Sequence, residues 1–390
     1  MSVRGIRAAR LFDGERLSAI LDPVLVLDGS RIATVLPAAR LPESVPVEDH
    51  GECTMLPGLV DAHVHLAFDP HLPVADDLDR RGEEELLERM HRHAAELLSH
   101  GVTTARDLGD RGFLSVRVRE EFARSGRGPH LVAAGPPLTS VGGHCHFLGG
   151  AVGSPAAAAD AVRAWADCGV DLVKVMVTGG TVTAATDPVA RQFDDATLDA
   201  VVRTAHGLGL VVTAHAHGRA GVRQALRHGV DGLEHAKCWT PEGIDLDDET
   251  LTAIVRDDVA VCPTLGHLPG APPPPAAVAQ RMAAAAAVVA RMHEARVRLV
   301  TGTDAGVAPA KTFGVIDRAV DELFDITGDV LGALRSVTST AADVLGLPAK
   351  GRLIRGADAD VVVVGGNPFA EPGLLGQVRA VYQKGTRWNP

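Results

Sequence analysis

Lysine is nearly missing from this chain: of 38 basic residues only Lys174, Lys237, Lys311, Lys350 and Lys384 are lysines. Aromatic side chains are almost as scarce, at 3% with Tyr382 the sole tyrosine, so a core must be built mainly from Val, Leu and Ala. Positive charge is in deficit. A net charge of −11 argues against nucleic-acid binding and against anionic membrane surfaces. The five cysteines (Cys53, Cys145, Cys168, Cys238, Cys262) are odd in number and form no CxxC, which fits reduced thiols in a cytoplasm. The N-terminal MSVRGIRAARLFDGERL has no apolar run followed by a small-residue cleavage site. The longest apolar stretch, Met282 to Ala290, is too short to span a bilayer. These absences predict a cytoplasmic protein.

What is present is material for a large core: 390 residues, 46% hydrophobic and 22% charged, enough for one domain of barrel size and a smaller one. Residues 1–55 read as strands and turns, with Asp28-Gly29-Ser30 between two apolar runs as a hairpin signal. Residues 348–390 read the same way, with a turn at Lys384-Gly385, so the two ends are predicted to pair into one small composite β-sandwich. Between them, residues 56–347 alternate. Strand candidates are GLVDAHVHL, VTTARDL, HLVAAG, VDLVKVMVTG, LVVTAHAH, GLEHA, VAVCPT and RLVTGTDAG, with helical patterns such as Glu83–Ser99, Pro155–Cys168, Asp195–Gly207 and Ala276–Ala295 interspersed. Asp194 is the expected N-cap of the third helix. Eight strands alternating with helices predict an α/β fold, a (β/α)8 barrel. A doubly wound sheet would carry a glycine-rich phosphate loop after its first strand, and here that strand ends in histidines. The proline run at 271–276 reads as a stiff loop after the seventh strand.

Lys174 stands in the middle of a near-continuous apolar run, Leu172-Val173-Lys174-Val175-Met176-Val177. Such a run is a strand buried on both faces, where an unpaired ammonium costs several kcal/mol. Burial lowers a lysine pKa and yields a neutral, nucleophilic amine; the bland alternative is a lysine that reaches the strand end and pairs with a carboxylate. Histidine supplies a second anomaly. Seventeen histidines in 390 residues would give about one HxH pair by chance, and the chain has four. His91 and His93 fall in a helix, on nearly opposite faces, and are expected to be solvated. On a strand the same spacing puts both rings on one face, as a metal requires, and His63/His65 and His215/His217 meet that condition. His144/His146 sit in the loop GGHCHFLGG. His235 and Asp304 fall late in the sixth and eighth strand candidates. All these polar residues would share the C-terminal rim of a barrel, where such folds place their chemistry.

Taken together, PGLVDAHVH, VKVMVTGG, TAHAHG, GLEHA, TGTDAG, TSTAADVLGL and GRLIRGADADVVVVGGNP resemble the amidohydrolase superfamily of metal-dependent hydrolases over nearly the whole chain. The likeness is greatest to its imidazolonepropionase-related and prolidase-like members. The resemblance implies that CO2 carboxylates Lys174 to a carbamate, a bridging anionic ligand. It implies one divalent metal on His63, His65 and Asp304 and a second on His215 and His235, with zinc suited to the donors and manganese, cobalt or iron as alternatives. His217 is expected to face the substrate, as is His144. Asp304 would be the catalytic base and acid in hydrolysis of an amide or peptide bond by an activated water.

Two other activities stay open. One is a mononuclear deaminase or cyclic-amidine hydrolase that uses His63, His65, His215 and Asp304, with Lys174 unmodified. The other is removal of a follower peptide in a natural-product pathway, as in bottromycin maturation. A non-catalytic scaffold is disfavoured because every expected ligand is present. The substrate would be a small molecule or peptide. Arg191, Arg219, Lys237 and Lys311 are the candidate partners for its carboxylate, on loops 136–150, 178–193, 236–245, 264–275 and 306–313. A homo-oligomer is compatible with the superfamily.

Overall fold

The Asp28-Gly29-Ser30 turn closes a hairpin. Strands Pro23–Asp28 and Arg31–Pro37 pair antiparallel, and Gly29 takes the left-handed φ of 60° that the turn needs. Val3–Arg7 and Val47–Asp49 complete a four-stranded sheet. A second sheet of five strands joins Arg10–Leu11 and Thr54–Pro57 to the C-terminal strands Val361–Val364, Val378–Gln383 and Thr386–Arg387. Alternation along a strand splits the VVVV run. Val361 and Val363 join Ile6, Leu25, Leu27 and Tyr382 in one apolar cluster, while Val362 and Val364 face the larger core of the middle segment. This computed structural model describes residues 3–272 and 276–389; Pro273–Pro275, the centre of the expected stiff loop, lie outside the described residues.

The middle segment supplies the parallel strands. β1 (Leu59–Val64), β2 (Val102–Asp107) and β3 (His130–Ala133) form one three-stranded parallel sheet. β4 (Leu172–Met176), β5 (Val211–Gly218), β6 (Gly232–Thr240) and β7 (Ala260–Cys262) form another, extended by Gly243–Ile244 antiparallel to the end of β6. Helices intervene as the sequence predicts: α1 (Glu83–Ser99), α2 (Pro155–Asp167) and α3 (Asp195–Gly207). Asp194 caps α3 by accepting a hydrogen bond from Thr197 N at 2.7 Å. Among the described residues no helix is long and apolar enough to cross a membrane.

Three sequence expectations need correction. RLVTGTDAG is no regular strand; it makes isolated parallel bridges, Val261↔Leu299 and Val64↔Ala305. Its ladder is interrupted because Thr301 N donates to Ser336 O and Asp304 adopts a left-handed φ of 60°. β6 does not end at His235 but runs on to Thr240 through left-handed residues His235, Ala236 and Cys238. His93 is not solvated: its Nδ1 lies 2.8 Å from Leu66 O and its ring stacks on Phe313 at 4.0 Å, whereas exposed His91 meets Glu121 at 2.8 Å.

The bridging segment is held against β1 by Asp61, which accepts from Thr303 N at 3.0 Å and Thr303 Oγ1 at 2.6 Å, and from His63 N at 3.2 Å. At Gly302 an added Cβ would stand 2.6 Å from both Cys262 Sγ and His63 Cβ. Gly302→Ala is therefore expected to lower unfolding stability by about 1–3 kcal/mol, through the displacement of His63 or Cys262. Urea denaturation of the metal-free protein measures this, and an unchanged midpoint would show that the segment yields freely.

Candidate active site

The strand ends open into a cavity of about 320 Å³. His63 of β1, His65 just beyond its end, Lys174 of β4, His215 and His217 of β5, His235 of β6 and Asp304 all line it, as does His144 of the loop after β3. Arg191 does not join them. Its side chain is partly exposed and lies 3.6 Å from Asp195, one helical turn on, while the adjacent Gln192 turns inward to Met176 O at 2.9 Å. Arg219 is likewise occupied elsewhere, by Asp245 and by Asp247 at 3.1 Å.

Among the described residues donor atoms gather in three groups, of which His63 with Glu234 and Cys262 lies off the cavity and the other two line it. In the first of these two, Nε2 of His63 and Nε2 of His65 lie 3.3 Å apart, and 3.2 and 3.4 Å from Asp304 Oδ1. The outer nitrogens fix the tautomers. His63 Nδ1 meets Glu234 Oε2 at 2.8 Å and His65 Nδ1 meets Gly109 O at 3.1 Å. Carboxylate and carbonyl oxygens accept only, so Nδ1 carries the proton and Nε2 presents its lone pair to the cavity. In the second group His215, His217 and His235 bring their rings to within 4.4–4.6 Å of one another. His217 is thus clustered with the other two and not set apart from them, and it also stacks on Trp239 at 4.9 Å. The groups meet where the His63 and His235 rings are 5.5 Å apart.

Charge completes the geometry. Burial, with the charge of Lys174, pushes His63 down to about 4, and burial holds His215, His217 and His235 well below the usual imidazole value. Neutral imidazole is the form that ligates. Burial pushes the Asp304 carboxyl up, but the His63 and His65 imidazoles and Lys311 outweigh it and keep the group ionised. Lys174 is 1% exposed, and among the described residues its Nζ makes no hydrogen bond and no ion pair. Burial lowers its pKa against the raising influence of Glu234 and Asp304. Neutral nitrogen donors beside an ionised carboxylate are a donor set that fits a divalent metal ion.

Sequence reasoning missed the layer beneath. Glu234, 1% exposed, accepts from Arg106 at 2.9 Å, from Thr213 Oγ1 at 2.6 Å and from His63 Nδ1. Its signal was available: an acidic residue inside the apolar run GLEHA is as anomalous as Lys174. Lys311, a candidate carboxylate partner, donates to Thr264 O at 2.8 Å and Leu265 O at 3.0 Å, and burial lowers it to about 8.

Comparison with known proteins bears on the family and the fold. The sequence profile of the Amidohydrolase family matches residues 54–386. The chain is 26% identical to ochratoxinase of Aspergillus niger over 408 residues, covering 95% of this chain and 82% of that protein. It is 25% identical to imidazolonepropionase of Roseobacter denitrificans over 386 residues, covering 92% of each. Its fold superposes on the crystal structure of a Xaa-Pro dipeptidase with bound methionine in the active site, with a TM-score of 0.86, 25% identity and 100% of both chains covered.

The buried imidazoles make stability pH-dependent with a definite sign. His63, His93 and His144 hold values of about 4 when folded against 6.5 when unfolded. The unfolded chain therefore binds more protons in that interval, and stability present above pH 6.5 is lost as pH falls toward 4. The metal-free protein is expected to unfold at lower urea at pH 5 than at pH 7.5. His93→Phe, which keeps an aromatic ring against Phe313, should reduce that difference, and an unaltered difference would mean His93 is protonated in the folded state.

Proposed function

The chain belongs to the amidohydrolase family, hydrolases of carbon–nitrogen bonds, and on that footing we propose that it cleaves an amide or peptide bond in a dipeptide or N-acyl amino acid at a binuclear metal site. His63, His65 and Asp304 would hold one divalent ion, His215 and His235 the other, with carboxylated Lys174 between them. One observation carries the reading. Lys174 is a buried amine that makes no hydrogen bond and no ion pair among the described residues, and it lines one cavity with members of both donor groups, His63, His65 and Asp304 and His215 and His235. The neutral amine attacks CO2, forms an N–C bond and releases a proton, which leaves an anionic carbamate where a cation would be costly. Zinc suits the nitrogen and oxygen donors.

When bound, divalent ions supply Lewis acidity, acidifying a water from about 15.7 toward about 7 and polarising a carbonyl. The chain's own residues do the rest. Asp304, ionised and poised beside His63 and His65, takes a proton from the attacking water and delivers it to the leaving nitrogen. Glu234 fixes the His63 ring through Nδ1. His144, His217 and the loop residues Val182 and Trp239 would enclose the substrate. Likeness to a Xaa-Pro dipeptidase with methionine bound in its active site supports an amino-acid-bearing substrate. Likeness to imidazolonepropionase supports a second reading, a cyclic-amide hydrolase with one ion and Lys174 unmodified.

The same reading extends to architecture. The two parallel sheets and the segment bridging β7 to β1 are arcs of one eight-stranded barrel over residues 56–347. The terminal sheets, which share one apolar cluster, are a composite sandwich of residues 1–55 and 348–390.

Metal analysis of zinc-loaded protein, with hydrolysis of a dipeptide and N-acyl-amino-acid library, tests the proposal. Two ions per chain and CO2-dependent reconstitution are expected; one ion per chain in fully active protein would favour the mononuclear reading. Asp304→Asn should keep metal but lose about 10²–10⁴-fold in kcat. Lys174→Met should bind fewer ions and lose its response to CO2.

A further inference from the structure

His235 differs from His63, His65 and His215 in what holds its outer nitrogen. His63 rests on the Glu234 carboxylate, and His65 and His215 on the backbone carbonyls of Gly109 and Gly179. His235 Nδ1 instead meets a side-chain hydroxyl, Thr264 Oγ1, at 2.9 Å. That hydroxyl has a single hydrogen and directs it to Pro263 O at 2.8 Å, so toward His235 it accepts. Nδ1 therefore carries the proton, and Nε2 turns its lone pair to the cavity that His235 lines.

Thr264 does not reach this position by strand pairing. It lies two residues beyond the end of β7, is 3% exposed, and takes a left-handed φ of 54°. β-Branched residues rarely adopt that backbone, which persists only where neighbouring contacts impose it. Lys311 supplies such contacts. It is 8% exposed, and its Nζ donates to Thr264 O at 2.8 Å and to Leu265 O at 3.0 Å. Lys311 is itself fixed, because its N donates to Ala308 O and its O accepts from Gly306 N, each at 2.8 Å. Gly306 follows Asp304 by two residues. One lysine thus staples the segment that carries Asp304 to the turn that orients His235, and spends two of its ammonium hydrogens doing so.

We propose that Thr264 is a positioning residue for the second ion, and that Lys311 holds it to that task by clamping the carbonyls of residues 264 and 265. The inference rests on His235 being a metal ligand, as in the binuclear reading, and adds two residues that act through its ring. Loss of the hydroxyl leaves the imidazole free to rotate or to move its proton to Nε2, and a protonated nitrogen cannot ligate.

Zinc binding, followed by competition with a chromophoric chelator, tests this without turnover. The binding step lost in His235→Ala marks the second ion. Thr264→Val, which keeps the branched shape and removes the acceptor, is expected to weaken that step by about 10–100-fold and to leave the other within about threefold. Thr264→Ser should restore it, and Lys311→Met should weaken the same step. Nitrogen-15 NMR of histidine-labelled, metal-free protein reads the ring itself. The His235 signal, assigned by its absence in His235→Ala, should show an Nδ1–H tautomer in the parent and in Thr264→Ser, and lose that pattern in Thr264→Val. Unchanged zinc affinity in Thr264→Val or Lys311→Met, equal weakening of both ions, or an Nε2–H tautomer in the parent would each overturn the inference. If the parent binds fewer than two ions the binuclear reading fails, and the His235 tautomer in the parent and in Thr264→Val decides the inference by itself.

Discussion

A buried amine that meets no counterion among the described residues governs the site. Glu234 is a buried carboxylate whose charge acts on Lys174, yet its two oxygens already accept from Arg106, Thr213 and His63. Its charge is balanced by the Arg106 guanidinium, so Lys174 gains its field without a hydrogen bond. Asp304, the other carboxylate, faces two imidazoles. Leaving Lys174 protonated would bury one positive charge among neutral histidines, which low polarity makes costly. Converting it to a carbamate reverses the sign, and an anion beside Asp304 then calls for cations. On the proposed reading, metal binding and lysine carboxylation are two halves of one electrostatic requirement.

The scaffold is arranged to keep that requirement from relaxing. Strand pairing fixes Lys174 opposite Thr213 and Met176 opposite His215 in the β4–β5 ladder. Asp61 ties the bridging segment to β1 through three hydrogen bonds, and the absence of a Cβ at Gly302 lets that segment approach His63. Asp304 and His235 are both held in left-handed conformations that L-residues rarely adopt. Such strain persists only where surrounding contacts determine it, and here both residues present donor atoms to one cavity. The β4–β5 ladder positions His215, while register shifts at 61–64 and 216–218 and the broken backbone at 235–238 and 301–304 aim the rest.

That division explains what could be read in the sequence. Helices α1 and α3 begin and end where periodicity and the Asp194 cap put them, because both are amphipathic surface helices governed by local rules. His63, His65, His215 and His217 were visible because strand alternation sends i and i+2 to one face. The eighth segment misled because its apolar pattern is that of a strand while its hydrogen bonds go to Ser336 and its Asp304 turns left-handed; neither is encoded in hydrophobic periodicity. Arg191 misled for a related reason. Basic residues on a loop near the rim look equivalent in sequence, and only tertiary structure reveals that Asp195 engages one while Lys237 is left unengaged. Glu234 was legible in principle by the same logic as Lys174, a charge inside an apolar run, but it lay next to a histidine that attracted the assignment.

The cavity therefore has two kinds of wall with different origins. The floor is made by strand residues whose positions are over-determined by ladders and by the Glu234–Arg106–Thr213 network, so substitution there disturbs several partners at once. The side wall comes from Lys237, Trp239 and the loops carrying His144, Val182 and Val307, and stands outside that network. Chemistry and recognition can then vary separately. A change of side-wall residue alters which amide fits without touching the donor atoms that gather around Lys174.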